Sequence, residues 1–400
     1  VQSNDTAHVG ADFVSEFKTW NHLQRWVNDQ CDHPAYGPAR GMSQLLMADV
    51  AARVAEVPSD WMLIASLTLP ARVPSDIRWN PNLRFGVESN IGDAYAMARN
   101  AFDLDLCAVG VDRDLQAEGF TGEARDTEYG RRVLDRVREV ICPIESNNDR
   151  GIGLGGLVRY SDAGLETKPG GQVMGQIKVT PIDRRRPLGP AVADPVLLEF
   201  DVKPKSKVVF KGEPQQTEQS MLGLDVPSFV AAPLSLYPNE NQFADKLCLL
   251  TGPPTTMRAG VSGPWHRYKD LFDIYFMTQT CRFDGARLKD AIENNWNWKR
   301  IDGPLPTPYD VYGRDGVNVV PWDRECEKLR SAHPQLGRYP SFEGMRLAVG
   351  ELVSDLEFSA QRTWEPGRGW TLPGETGHYR TTESRSRHEL GTKSLGREIA

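Results

Sequence analysis

Apolar residues set a helical rhythm at the start of the chain. Phe13, Phe17, Trp20, Leu23 and Val27 stand three or four positions apart and predict an amphipathic helix over 13–27. A second stripe, Leu45, Leu46, Val50, Val54 and Val57, predicts a helix over 42–57 that stops at Pro58. Trp61-Met62-Leu63-Ile64-Ala65 then reads as a buried strand, and no period governs 70–90. Residues 91–98 predict a short helix. From Phe102 to Val109 a strand is expected, with Asp103 and Asp105 alternating against Leu104 and Leu106. A charged helix follows over 122–140, striped by Tyr129, Val133, Val137 and Val140. The period then drops to two. Strands are predicted at 153–160, 173–180, 196–202 and 207–210, separated by glycines and the basic turn Asp183-Arg184-Arg185-Arg186. From Pro238 helices take over, at 239–250, 268–279, 284–295, 322–330 and 342–361.

This change of period divides the chain near 230–238. The amino-terminal part is expected to be α+β with a mixed sheet, and the carboxy-terminal part a helical bundle. At 400 residues the chain exceeds the common single-domain size, which agrees with two domains. The first dozen residues and those from Thr381 onward are polar, and 381–400 are expected to form a mobile tail. With 40% hydrophobic and 25% charged residues the composition is that of a soluble, folded protein. A net charge of -7 argues against non-specific binding to long polyanions, though it leaves room for a local basic channel. No apolar run is long enough to span a membrane, and no signal-peptide pattern opens the sequence. Cys31, Cys107, Cys142, Cys248, Cys281 and Cys326 sit far apart and read as reduced thiols of a cytoplasmic protein, against structural zinc and disulfide scaffolds.

Chemistry concentrates at Phe102-Asp103-Leu104-Asp105-Leu106. In a strand the two carboxylates point the same way and repel each other unless a cation lies between them. That is the geometry for Mg²⁺ on nucleotide phosphates, or simply a solvated acidic face. Asp201, in phase with Glu199 on the apolar strand 195–202, could complete a three-carboxylate cluster if its strand lies beside the first; otherwise it caps its strand. Lys203, Lys205, Lys207 and Lys211 follow in strand period, with Arg184, Arg185 and Arg186 upstream. They make one basic face for a polyanion, or an edge strand guarded by lysines. In the helical part Lys246 borders apolar residues of an amphipathic helix, and Asp270 and Asp273 share one helix face with Arg267 nearby. The glycine run 151–156 is followed by strand and turn residues rather than a helix, which excludes a dinucleotide fingerprint. The scattered histidines offer no hydrolase triad, and Trp296, Trp298, Trp364 and Trp370 read as packing residues.

Several of these segments together resemble the AbiEii/AbiGii-type nucleotidyltransferase toxins, a family that includes the mycobacterial MenT enzymes. Ala244-Asp245-Lys246 is similar to the family's lysine helix, and Arg267-Tyr268-Lys269-Asp270-Leu271-Phe272-Asp273-Ile274 to its R-x-K-D motif. Phe283 to Trp296 follows the family's next helix. Arg99-Asn100-Ala101-Phe102-Asp103-Leu104-Asp105-Leu106 is similar to the paired-aspartate element, with Ala101 where the family has Thr, and Phe200-Asp201-Val202 to the later carboxylate strand. For the phosphate-binding turn two candidates stand: Ala65-Ser66, which makes 70–98 an insertion, or Ile91-Gly92-Asp93.

The resemblance implies a polymerase-β-like nucleotidyltransferase core over 1–235, carrying amino-terminal helices and that insertion, and a helical domain over 236–380. It implies transfer of nucleotides from a nucleoside triphosphate to the 3′ end of tRNA, with release of pyrophosphate, by a toxin encoded beside a cognate antitoxin protein. Asp103, Asp105 and Asp201 would bind one or two Mg²⁺ ions, and Asp201 would orient or deprotonate the attacking hydroxyl. Ser66 and Lys246 would meet the departing phosphates, and Arg99 would brace the aspartate pair. Asp270 would order Lys246 or touch the nucleotide. Lys203, Lys205 and Arg184–Arg186 would contact the acceptor. A protein or small-molecule acceptor, and a non-catalytic α+β interaction protein, are the alternatives.

Overall fold

The structure, a computed structural model, describes residues 17–30, 38–55, 61–64, 68–78, 84–85, 89–90, 103–142, 154–186, 188–210, 213–217, 234–251, 268–299, 319–332, 336–337, 339–354, 356 and 359–372. The helix expected at 91–98 and the polar tail from Thr381 lie outside them. The chain divides into two compact units, Val1–Arg72 with Ala98–Pro238, and Val73–Met97 with Asn239–Ala400. No helix among the described residues is long and apolar enough to cross a membrane.

The first unit opens with helices α1 (Trp20–Gln30) and α2 (Pro38–Ala55) and the strand β1 (Met62–Ile64). After it come β2 (Asp103–Cys107), α3 (Val109–Ala117), α4 (Gly122–Val140), β3 (Val158–Asp162), β4 (Glu166–Thr167), β5 (Val173–Pro181), β6 (Val196–Lys203), β7 (Gln215–Thr217) and β8 (Leu234–Leu236). They form one mixed sheet in the order β3-β5-β6-β2-β1-β8-β7, with β4 paired to β5. The pairs β2/β6 and β1/β8 are parallel and the others antiparallel. This α+β core has the polymerase-β-like arrangement. Leu104, Leu106, Leu198, Phe200 and Val202 alternate inward and are buried, as a period of two requires. Helix α2 packs on β6 and β8, and α4 on β4 and β5.

Several expectations change here: residues 17–19, expected within the first helix, are not helical, and Leu154–Gly156, expected in a strand, form a 3₁₀ turn ahead of β3. The strand through Val109 ends at Cys107, and the chain turns at once into α3, whose buried Val111 and Leu115 stand four apart. The strand at 207–210 is absent: β6 stops at Lys203, and Lys205–Lys207 form a single 3₁₀ turn. Pro204 has no N–H to continue the ladder.

The second unit holds α5 (Asn239–Thr251), α6 (Tyr268–Thr280), β9 (Phe283–Asp284), α7 (Gly285–Trp298), α8 (Val319–Ala332), α9 (Phe342–Ser354), β10 (Thr363–Glu365) and β11 (Gly369–Thr371). Helix α5 packs on α6 and α7, and α9 on α6. Strands β9, β10 and β11 make a small antiparallel sheet that the helical rhythm does not predict. Trp364 and Trp370 meet edge to face across it, and the Trp364 indole donates to the Thr278 carbonyl at 2.9 Å. Arg282 binds both Asp76, from the segment 73–97, and Glu365.

Candidate active site

The parallel pairing of β2 with β6 sets Asp105 directly opposite Asp201 and Asp103 opposite Glu199. Four acidic side chains therefore share one face of two adjoining strands. Their surroundings differ along the strand. Asp103, at the start of β2, is exposed, whereas Asp105 is 8% exposed. Ile64 of β1 lies opposite Asp105 on the other side, within an apolar cluster that includes Met62, Cys107, Val208, Phe210 and Tyr237. Asp105 thus stands at the border between that cluster and the open part of the face. Burial raises its pKa to about 6; Lys203 pulls it down, and Asp103 and Asp201 add to the rise.

Lys203 occupies the middle of this arrangement. Its Nζ donates to Asp105 Oδ1 at 3.2 Å and lies 3.5 Å from Asp201 Oδ2. Strand period puts it on the face of Asp201, two residues earlier. The basic face expected of Lys203, Lys205 and Lys207 is broken up by the turn after Pro204. Lys205 Nζ sits over the Phe210 ring, 5.0 Å from its centre, and Lys207 Nζ reaches the Pro169 carbonyl at 3.3 Å and Gln172 Oε1 at 3.4 Å. Gln172, for its part, donates from Nε2 to Asp201 Oδ1 at 2.7 Å. Sequence reasoning did not single out Gln172, because it lies in a turn whose partner is 29 residues away. Arg184, Arg185 and Arg186 lie exposed in their turn, with the Arg185 N–H on Asp183 Oδ1.

The strand ends are fixed from behind. Tyr129 of α4 donates its hydroxyl to the Lys203 carbonyl at 2.9 Å and accepts from the Ala108 N–H at 3.2 Å, just past β2. Asp112 of α3, buried, accepts from the Lys205 N–H and from Arg125. Burial raises the Asp112 pKa, against the pull of these two donors.

Two further candidates belong to the second unit. In the second unit Lys246 Nζ donates to Asp270 Oδ1 and to Asp273 Oδ2, each at 2.8 Å, and all three side chains are buried. Asp270 therefore holds Lys246, and Asp273, which sequence reasoning placed only on a shared helix face, is its second partner. Ser66, Arg99 and Arg267, and the alternative turn Gly92-Asp93, lie outside the described residues.

Hard-oxygen donors fitted to Mg²⁺ are present in Asp103, Asp105 and Asp201, on adjoining strands and in register. Among the described residues, however, no three carboxylate, histidine or cysteine side chains are already gathered as a metal-ligand set. The ammonium of Lys203 supplies the compensating charge instead. The cysteines Cys107, Cys142, Cys248, Cys281 and Cys326 are buried thiols, none in a disulfide.

No family model matches the chain, and no curated protein does. Among solved structures it is similar, at 12% identity and a TM-score of 0.36, to JHP933 from Helicobacter pylori, over 89% of this chain and 98% of that one. It is also similar, at 12% identity and a TM-score of 0.38, to MenT4, a nucleotidyltransferase toxin from Mycobacterium tuberculosis, over 84% of this chain and 97% of that one. At these scores the likeness is distant, and the functional reading rests on this chain's own residues.

Proposed function

We propose that the protein is a nucleotidyltransferase that moves a nucleotide from a nucleoside triphosphate onto the 3′ end of tRNA, releasing pyrophosphate, and acts as the toxin of a toxin–antitoxin pair. The observation that carries the chemistry is the direct pairing of Asp105 with Asp201 in parallel register, with Asp103 two residues ahead on the same face. The choice of tRNA and of an antitoxin partner is supported by the motif resemblance alone.

In this reading Asp103, Asp105 and Asp201 hold Mg²⁺, which neutralises phosphate charge when bound. Catalysis then consists of positioning and charge neutralisation. Asp201, steadied by Gln172, orients the acceptor hydroxyl and takes its proton as that oxygen attacks the α-phosphorus. Pyrophosphate departs with the electrons of the broken bond. Asp105 stays anionic at the edge of an apolar cluster, where low polarity strengthens its hold on a cation. Ser66 and Arg99 are assigned, through the resemblance, to the departing phosphates and to bracing the aspartate pair.

The test is incubation of the purified protein with total tRNA, Mg²⁺ and each nucleoside triphosphate radiolabelled at the α-phosphate, beside an Asp103→Ala/Asp105→Ala control. Label on tRNA that disappears in the control supports the proposal and names the nucleotide. Metal-dependent triphosphate binding without label on RNA moves the acceptor to a protein or small molecule. Neither binding nor label leaves a non-catalytic protein in which Lys203 permanently satisfies the two carboxylates.

A further inference from the structure

Among the described residues two lysines, Lys203 and Lys246, are each held by a pair of aspartates, and the two sites differ. Lys246 lies 2.8 Å from both of its partners, and the side chains of the trio are 7%, 10% and 0% exposed for Lys246, Asp270 and Asp273. Lys203 lies 3.2 and 3.5 Å from its partners, with side-chain exposures of 32% for Lys203, 11% for Asp105 and 20% for Asp201. Charge-assisted N–H···O bonds settle at about 2.8 Å, so the first grip is tight and buried and the second longer and partly exposed. A cation held this loosely, at a solvent-open edge, can be exchanged for another.

The backbone at Lys203 is not loose. Tyr129 holds its carbonyl, and the N–H of Lys205 is held by Asp112. The side chain can leave while β6 keeps its register with β2. Asp201 has a separate donor in Gln172, so it keeps its orientation when the ammonium departs.

We propose that Lys203 is a built-in counter-ion for Asp105 and Asp201, which competes with a divalent cation for the same two carboxylates and is displaced when that cation binds. The inference rests on the reading of this face as a metal-dependent transfer site. Without the ion, Lys203 keeps two like charges from driving the strand ends apart. With the ion bound, its ammonium is released on the same face, where a triphosphate would bring negative charge. Lys203, expected among the acceptor contacts, meets Asp105 and Asp201 in this structure.

The competition has a sign that a merely structural lysine cannot give. Lys203→Met keeps the stem and removes the charge; Lys203→Arg keeps the charge. Binding of Mn²⁺, a spectroscopic stand-in for Mg²⁺, is titrated by electron paramagnetic resonance on the full chain, with thermal unfolding in EDTA as a check on folding. For Lys203→Met the expected result is Mn²⁺ binding about fivefold to tenfold tighter than wild type, from loss of one partly exposed competing charge. Lys203→Arg should bind no tighter than wild type. Wild-type binding that is unchanged or weakened in a folded Lys203→Met overturns the counter-ion role and leaves the transferase reading standing. Absence of Mn²⁺ binding in wild type, Lys203→Met and Lys203→Arg alike overturns both.

Discussion

The hydroxyl of Tyr129 joins the ends of two strands: it accepts from the Ala108 N–H beyond β2 and donates to the Lys203 carbonyl that closes β6. Burial pushes this phenol's pKa upward, so it keeps its proton and remains a donor. The bond therefore fixes how far Asp105 can slide past Asp201.

Tyr129→Phe keeps the ring and deletes both bonds, leaving the buried Ala108 N–H without this acceptor. Such a loss costs about 1–3 kcal/mol. Urea unfolding should show a lower midpoint with an unchanged slope. Nucleotide transfer should fall further than stability does, because the carboxylate pair loses its register. A variant as active and as stable as wild type would show that the strand ends are fixed by other contacts.

Asp105 gives a prediction with a definite pH window. Its folded pKa, about 6, lies above its ordinary value of 3.8, so the folded chain binds this proton more tightly than the unfolded one. Its favourable contribution is complete below that ordinary value and is lost as pH rises through about 6. In mildly alkaline buffer the ionised carboxylate is a burden of about 2–3 kcal/mol. Asp105→Asn should therefore abolish transfer and yet raise the unfolding temperature near pH ~8, the gain fading by pH ~4. A variant destabilised equally at both ends of the range would contradict this account of Asp105.

The two lysine sites should differ sharply when neutralised. Lys246→Met leaves Asp270 and Asp273 buried without their shared cation, and breaking a buried pair in this way costs about 3–5 kcal/mol. Lys203→Met, at a site partly open to solvent, should remain within about 1 kcal/mol of wild type. Equal losses in denaturant titrations would show that burial does not separate these two trios.

Much of this arrangement was legible in the sequence. The alternation around Asp103 and Asp105 announced the strand and the shared direction of its carboxylates, because a period of two allows nothing else. Asp201 was legible only conditionally, since its value depended on which strand lay beside β2. The places of Lys205 and Lys207 were misread by extending the strand period through Pro204, a residue whose missing N–H marks the stop. Helix α3 was hidden by starting within two residues of a strand end. Strands β9 to β11 are too short to show a period, and Gln172 reaches Asp201 through a turn that only the folded hairpin brings near.

That turn supports a last prediction. Gly171 has a φ of +76°, and a Cβ on it would lie 2.6 Å from the Asp126 backbone carbonyl of α4. Neither backbone can yield cheaply, so Gly171→Ala must lift the turn off the helix and carry Gln172 away from Asp201. Gly164, with a φ of +101° and nothing within 4 Å of its would-be Cβ, is the matched control. Gly164→Ala should show only the strain of the left-handed backbone, about 1 kcal/mol. Gly171→Ala should lose about 1–2 kcal/mol more and weaken Mn²⁺ binding, because Asp201 loses the amide that orients it. If the two variants unfold alike and bind Mn²⁺ alike, the close approach of this turn to α4 does not govern Asp201.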